Sequence, residues 1–387
     1  MSLLQNIHAN LTDTWATSVA YKQYAMVIKD GYPLICLVAH TSGTYATDVQ
    51  SGYWQMVGSW KNNLINGNFD IWQRGVGPTT TISTTLYVAD RWGANQFQTA
   101  SCSRQSFVAS GSHPGNSQFV HRCAGDGVTA MRMMIAQGVE LINTIPLRSK
   151  TITLSFWIRF SAATTTAALG PFSGGIGYSN TSNDGPTFST DYSASGSTNV
   201  ILSQGSLPTV WTKYTATIAV SATAQNIKAQ FSFSNLATPT SSDWYEISQV
   251  MLNEGPAPAA FQTAGANIQD EVAMCQRYYE KNDDLNIPSG SGGSVVQYHT
   301  GILNISGGGA HGPVFYKVQK RAPASTINYW NGVTPNQAFW RRPSVDGTNT
   351  VVFISSNSYG FVPVNVTIGT GYTISQLGFA WAADAEL

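Results

Sequence analysis

The sequence predicts an all-β protein: a small N-terminal β module, a central jelly-roll β-sandwich, one short connecting helix and a C-terminal β domain. Three observations carry this. Charged residues make up only 10% of the chain, against roughly 25% in an average soluble protein, and helix surfaces need Glu, Lys and Arg. Ser, Thr, Gly and Asn fill the gap, which suits strands and turns with polar, uncharged outer faces. Short runs of β-branched and aromatic residues recur between polar turns, the pattern of sandwiches and jelly rolls. The 387 residues exceed one typical domain. The organisation predicted is 1–62, 63–265 and 266–387.

Residues 1–62 read as a β unit. In "YAMVIKDGYPLICLVAH" two strands, Ala25 to Ile28 and Pro33 to Ala39, flank Asp30-Gly31, a hairpin turn signal. "TSGTYATDVQSGYWQMV" continues as a loop and a closing strand with Tyr53, Trp54 and Met56.

Residues 63–265 open on "NLINGNFDIWQRG". Asn66-Gly67 marks a turn, and the strand expected after it puts Phe69 and Ile71 on one face and Trp72 on the other. Trp72 then covers a neighbouring domain or subunit, or stacks on a sugar. Further strands are expected at Lys150 to Phe160, Trp211 to Val220, Ile227 to Ser234 and Trp244 to Gly255, with "LGPFSGGIGYSNTSNDG" as a long surface loop.

The Pro- and Ala-rich "GPAPAAFQTAG", Gly255 to Gly265, suits an extended connector. A helix is predicted over Asn267 to Lys281, with Asn267 as cap and Asp270 and Glu271 in the first turn. Ile268, Val272, Cys275 and Tyr279 form one apolar stripe. A helix this short is marginal in water unless that stripe is covered. The β pattern returns after residue 287, and "SGSGGS", Ser289 to Ser294, reads as flexible.

The same residues exclude several function classes. Formal net charge is zero and no Lys/Arg run appears, so no nucleic-acid partner is expected. No stretch reaches the roughly 18 apolar residues of a membrane span, and "MSLLQNIHANLTDTWA" lacks the pattern of a secretion signal. Cys36, Cys102, Cys123 and Cys275 form no CxxC motif and read as small buried hydrophobes. HExxH and GxSxG are absent, and no cofactor is expected; the sequence leaves open whether a metal is bound. "SGGGAHG", Ser306 to Gly312, lacks the end of a phosphate loop and reads as a flexible loop. Asp90, Asp184, Asp191, Asp243 and Glu246 are the carboxylates from which a glycosidase pair would have to come, and as turn and strand-edge groups they need no catalytic role. The abundant aromatics, set among neutral amides and hydroxyls, suit sugar recognition as well as core filling.

Several segments together resemble phage tail fibre and tailspike receptor-binding proteins. "NLINGNFDIWQRG" with "YVADRWGA" is similar to the opening of their carbohydrate-binding-module-like jelly roll. "ISQVMLNEGPAPAAFQ" resembles its closing strand and exit, and "EVAMCQRYYEK" the short helix that follows. "VFYKVQKRAPASTINYW", "SYGFV" and "FAWAADAEL" fit the end of such fibres. "GYPLICLVAHTSGTYATDVQSGYWQMV" resembles a small β module found near fibre attachment ends.

The resemblance implies a non-enzymatic virion tail component, folded in the host cytoplasm, that binds host-surface polysaccharide or lipopolysaccharide. It implies a homotrimer around the stripe of Ile268, Val272, Cys275 and Tyr279, joined to other tail or baseplate proteins through the N-terminal module. The long β-helix of depolymerising tailspikes is missing, which speaks against cleavage. Tyr329, Trp330 and Trp340, set among turn residues at a distal tip, are the expected ligand contacts, with Arg341 and Arg342 as donors for acidic sugars or lipopolysaccharide phosphates and Trp72 as a further candidate. The competing readings are a structural adaptor without a receptor of its own, and a glycan-cleaving or deacetylating enzyme.

Overall fold

The computed structural model describes residues 13–77, 86–95, 100–125, 134–166, 170–181, 196–233, 239–282, 297–299, 302–305, 308–311, 314–330, 338–341, 346–349, 351–365 and 376–386. The protein is all-β, with antiparallel sheets throughout. It divides into two compact units. One comprises Met1–Asp70, Gly77–Leu86 and Trp92–Ala264; the other comprises Ile71–Val76, Tyr87–Arg91 and Gly265–Leu387.

The first unit begins with β1 (Ala20–Tyr21), β2 (Met26–Lys29), β3 (Tyr32–Cys36), β4 (His40–Thr41) and β5 (Trp54–Met56). Asp30 (φ +52°) and Gly31 (φ +85°) turn the β2–β3 hairpin, both left-handed as a type I′ turn requires. Strand β3 pairs with β5. Where a loop was expected, Tyr45–Gln50 form helix α1, because the Thr44 hydroxyl accepts from Thr47 N at 3.3 Å and caps its start. Val27, Leu34, Trp54 and Met56 share one core with Met251, Ala257 and Ala259, so β2, β3 and β5 pack with the strand and exit that close the sandwich.

The sandwich strands are β6 (Leu86–Tyr87), β7 (Gly93–Asn95), β8 (Ala100–Ser106), β9 (Phe119–Gly125), β10 (Met134–Val139), β11 (Thr151–Phe160), β12 (Phe172–Ser179), β13 (Gly196–Leu202), β14 (Thr212–Ala219), β15 (Asn226–Phe233) and β16 (Trp244–Glu254). One sheet runs β13-β12-β15-β10-β7-β6 and the other β14-β11-β16-β9-β8. From β9 to β12 and from β13 to β16 the chain changes sheet at every step, the crossing connectivity of a jelly roll. Aromatics from both sheets meet in the middle. Phe160 of β11 lies 5.3 Å from Phe172 of β12, and Tyr245 of β16 lies 5.9 Å from Phe233 of β15. All four are buried to within 1%, worth roughly 1.5–3 kcal/mol for a side chain of this size.

Strand β12 runs through what the sequence suggested was a surface loop. A Cβ on Gly174 would come within 2.8 Å of Phe156 and 3.0 Å of Phe231. Its glycine is there for close ring packing. The opening motif differs as well. Asn66-Gly67 is indeed a turn, and a Cβ on Gly67 would sit 2.1 Å from the Val250 carbonyl. The segment after it is irregular, with Phe69 at φ +58°. Phe69, Ile71 and Trp72 are all buried, so the two-faced strand does not form.

On the outer face of the second sheet Glu246 is fully buried between two arginines in one rung. It accepts from Arg122 Nε at 2.9 Å and from Arg159 Nε at 2.7 Å. Nearby, Phe107, Trp157 and Trp211 surround His113, with ring centroids 4.5, 5.0 and 5.3 Å away. The His113 Nδ1 accepts from Gly115 N at 3.0 Å.

The expected connector, Gly255 to Gly265, is extended but mostly buried. Asn253 Nδ2 donates to the Ala257 carbonyl at 2.9 Å, and Met56 N donates to the Pro258 carbonyl at 2.9 Å. It is therefore packed chain, not free linker.

In the second unit, helix α2 spans Ile268–Gln276. The Asn267 side chain caps it, accepting from Gln269 N and Asp270 N at 2.9 and 3.1 Å. The helix stops before Tyr279, which lies in the strand Tyr279–Lys281. The C-terminal strand Gln376–Asp384 is the hub, pairing with Tyr279–Lys281, Gln297–His299, Thr326–Trp330 and Ala338–Arg341. Gly308–His311, expected in a flexible loop, pairs as a strand with Ile302–Ile305. Ser289 to Ser294 lie outside the described residues. Buried charges knit the unit together. Arg91 pairs with Glu386 at 2.5 Å and stacks 3.5 Å from the Tyr278 ring centroid, while Arg74 pairs with Asp384 at 3.0 Å. Lys320 and Glu280, both wholly buried, pair at 2.5 Å. No helix among the described residues is long and apolar enough to cross a membrane.

Two outcomes follow from these packings. Glu386→Ala leaves Arg91 buried opposite no carboxylate, and urea unfolding should show a loss of about 3–5 kcal/mol for breaking such a pair. Burial among rings lowers the His113 pKa to about 4. A depressed histidine pKa favours the neutral form in the folded state, so its contribution is present above the ordinary value near 6.5 and lost as pH falls toward 4. The Tm of the wild type should therefore drop more between pH 7 and pH 5 than that of His113→Phe.

Candidate functional site

A cleft of about 490 Å³ opens in the first unit, within the usual range of roughly 300–1,000 Å³ for ligand pockets. One wall comes from the β2–β3 turn and α1, with Lys29, Asp30, Tyr45 and Gln50. The other comes from β13 and β14, with Thr198, Asn199, Thr215 and Thr217. Each position has a local cause. The type I′ turn projects Asp30. The Thr44 cap starts α1 so that Tyr45 opens its first turn. Strand alternation turns Thr215 and Thr217 to one face, where Thr217 Oγ1 meets Thr153 Oγ1 at 3.0 Å.

The polar part of the lining is chiefly hydroxyl and amide, set among Ala46, Val49, Val200, Ala216 and Pro256. Lys29 and Asp30 pair at 2.7 Å with partly exposed side chains, a contact worth at most about 1 kcal/mol. Tyr45 packs edge-on to Trp15 at 5.0 Å, with Lys29 Nζ 5.4 Å from its ring centroid. Burial, with the Asp30 carboxylate adding, raises the Tyr45 phenol well above its ordinary value, so it keeps its proton at neutral pH. Its oxygen is buried without a hydrogen-bond partner among the described residues. Asp30 is the single carboxylate in the lining among the described residues. The wall can donate and accept neutral hydrogen bonds, and among the described residues it offers no carboxylate pair for glycoside hydrolysis.

Each described carboxylate singled out from sequence is held by partners of its own. Glu246 is held by its two arginines. Asp243 accepts from Thr240 N at 2.7 Å in a turn. Asp90 accepts from Gln73 N and Gln73 Nε2, both at 2.6 Å, and burial pushes its pKa up to about 6 against the pull of Arg74. Asp184 and Asp191 lie outside the described residues.

The expected contact residues fare differently. Trp72 is 0% exposed and offers no face to a sugar, which corrects its candidacy as a ligand contact. Tyr329 and Trp330 belong to the strand Thr326–Trp330, opposite Trp381 and Ala380. Trp340 and Arg341 belong to the strand Ala338–Arg341, opposite Leu377 and Gln376. They are ladder residues and not turn residues, since β-branched and aromatic neighbours outweigh the Asn and Pro between them. Arg342 lies outside the described residues. In the proposed trimer stripe Ile268 is 56% exposed and Val272 half-buried, but Cys275 and Tyr279 are buried. The stripe is thus not one continuous exposed face. Sequence reasoning missed the cleft. Asp30-Gly31 and the Thr44 cap were readable locally, but Thr198 and Thr217 reach them only through sheet register.

Neither a protein-family model nor a curated protein sequence matches the chain. Among solved structures, the enzymatically active domain of bacteriophage CBA120 tailspike protein 4 is similar over 50% of this chain and 21% of its own length, at 11% identity and a TM-score of 0.33. The chain therefore spans about a fifth of that structure. The carbohydrate-binding module TmCBM61, solved with β-1,4-galactotriose, matches over 50% of this chain and 99% of its own, at 14% identity and a TM-score of 0.29. The family 11 carbohydrate-binding module from Clostridium thermocellum, solved with a β-1,3-1,4-mixed-linked tetrasaccharide, matches over 48% and 100%, at 10% and 0.27.

Tyr45→Phe removes a buried hydroxyl that has no partner, a group whose burial costs about 1–3 kcal/mol. Thermal unfolding should show a Tm equal to or above that of the wild type; a clear drop would mean the hydroxyl is satisfied.

Proposed function

We propose that this chain is a non-enzymatic, glycan-binding component of a phage tail, and that the cleft of the first unit takes the glycan. The observation that carries this is the lining: hydroxyls and amides from α1, β13 and β14, with a single carboxylate among the described residues. Neutral donors and acceptors of this kind suit the hydroxyls of host polysaccharide or lipopolysaccharide sugars, and one carboxylate does not supply an acid–base pair. The tail assignment rests on the ordered resemblance of the opening, exit and terminal motifs. It places the protein in the virion after folding in the host cytoplasm, as a homotrimer joined to other tail or baseplate proteins through its N-terminal strands. Several weak sites on one particle then give avidity without new contacts.

The test uses the full-length protein on a glycan array and on host cells, against Gln50→Ala/Asn199→Ala. Both side chains line the cleft, so binding is expected to fall at least about tenfold, the loss of roughly 1.4 kcal/mol of contact energy, with an unchanged melting curve. Undiminished binding by the folded variant sinks the cleft assignment. Release of reducing ends or acetate from the bound glycan sinks the non-enzymatic one.

A further inference from the structure

Beyond the cleft, the most concentrated chemistry in the protein lies inside the sandwich. Cys102 on β8 and Cys123 on β9 face each other directly across an antiparallel ladder. His121 lies two residues before Cys123, so strand alternation turns both to the same core face. Cys102 Sγ and Cys123 Sγ are 3.2 Å apart, and His121 Nδ1 is 3.8 Å from Cys123 Sγ. One ligand atom from each of the three residues falls within 4.8 Å of the others, and all three residues are 0% exposed. On the next strand Tyr245 of β16 pairs with Cys123 in register. As the cross-strand partner of Cys123, Tyr245 shares that core face, and its hydroxyl is buried.

We propose that Cys102, Cys123 and His121 bind a zinc-class divalent cation in the core of the sandwich, with the Tyr245 hydroxyl as fourth donor. Two thiolates, a neutral imidazole and a phenol are a donor set suited to a borderline-soft ion. The balance is simple: M²⁺ and two thiols give a neutral dithiolate complex and two released protons, and no electron moves. Neutrality matters because the core admits no water to solvate a residual charge. Tetrahedral bonds of about 2.3 Å put thiolate sulfurs roughly 3.8 Å apart, so the two sulfurs need to part by only about half an ångström. With no exposed ligand the ion cannot enter the finished fold. It is captured as the sheets close, and its binding energy becomes folding energy.

The experiment starts from full-length protein purified natively without chelator. Metal analysis should find about one zinc per chain, freed to a colorimetric chelator only on unfolding, as expected for a closed structural site. Cys102→Ser/Cys123→Ser should lose that zinc at least about tenfold, and zinc retained by this variant overturns the proposal. Because the variant can fail to fold, a second arm refolds unfolded wild type with Co²⁺. A thiolate-to-cobalt charge-transfer band and the strong visible bands of a tetrahedral site support the proposal. Native protein without metal whose cobalt-refolded form lacks those bands overturns it. So does an intact mass short of two hydrogens, which would show that the thiols are joined as a disulfide.

Discussion

The structure depends on one packing constraint, the closure of two sheets over a layer of rings. Phe156 and Phe160 of β11, Phe172 of β12, Phe231 and Phe233 of β15 and Tyr245 of β16 are all buried to within 1%. Phe156 meets Phe231 edge-to-face at 4.8 Å, and Phe160 meets Phe233 at 5.5 Å. Such contacts add about 0.5–1.5 kcal/mol each to area burial. They also fix which sheet faces which, and so where β13 and β14 present Thr198 and Thr217. The same closure encloses Cys102, His121 and Cys123 and forces glycine at residue 174.

The chain carries few charges, and those it buries are handled in sets. Glu246 lies between Arg122 and Arg159 in one rung, with Trp244 under both guanidiniums at 4.2 and 5.7 Å. Glu386 lies beside Arg74 and Arg91, at 3.5 and 2.5 Å. Replacing such a set by apolar residues is often harmless, while removing a single member strands a charge. Each of these carboxylates is thus tied to two particular arginines. The carboxylates of these sets are committed to cations, whereas the cleft presents hydroxyls and amides beside the Lys29–Asp30 pair.

Much of the architecture was legible in the residues. The four long strands expected from β-branched and aromatic runs appear with their ends shifted by at most one residue, and Asp30-Gly31 and Asn267 act as read. What failed did so for tertiary reasons. The Gly-rich run holding Phe172 to Ser179 looks like loop because glycine has little intrinsic strand preference, yet rings from two other strands make it a strand. Trp72 looked two-faced because alternation presupposes a strand, and Phe69 at φ +58° breaks it. Tyr279 seemed to extend a helical stripe until pairing with Asp384 drew it into a ladder. The cleft and the cysteine–histidine cluster were not legible at all, since both are products of register between distant strands.

The division of the chain into units also sets an order of events during synthesis. Residues 71–76 and 87–91 lie in the second unit, yet they are made early. Arg91 waits for Glu386, 295 residues later, which is roughly 15–60 s at about 5–20 residues per second of translation. For that time the nascent chain displays Trp72, Arg74 and Arg91 without their final surroundings. A sandwich that closes before Asp384 and Glu386 are made leaves both guanidiniums in water until those carboxylates arrive.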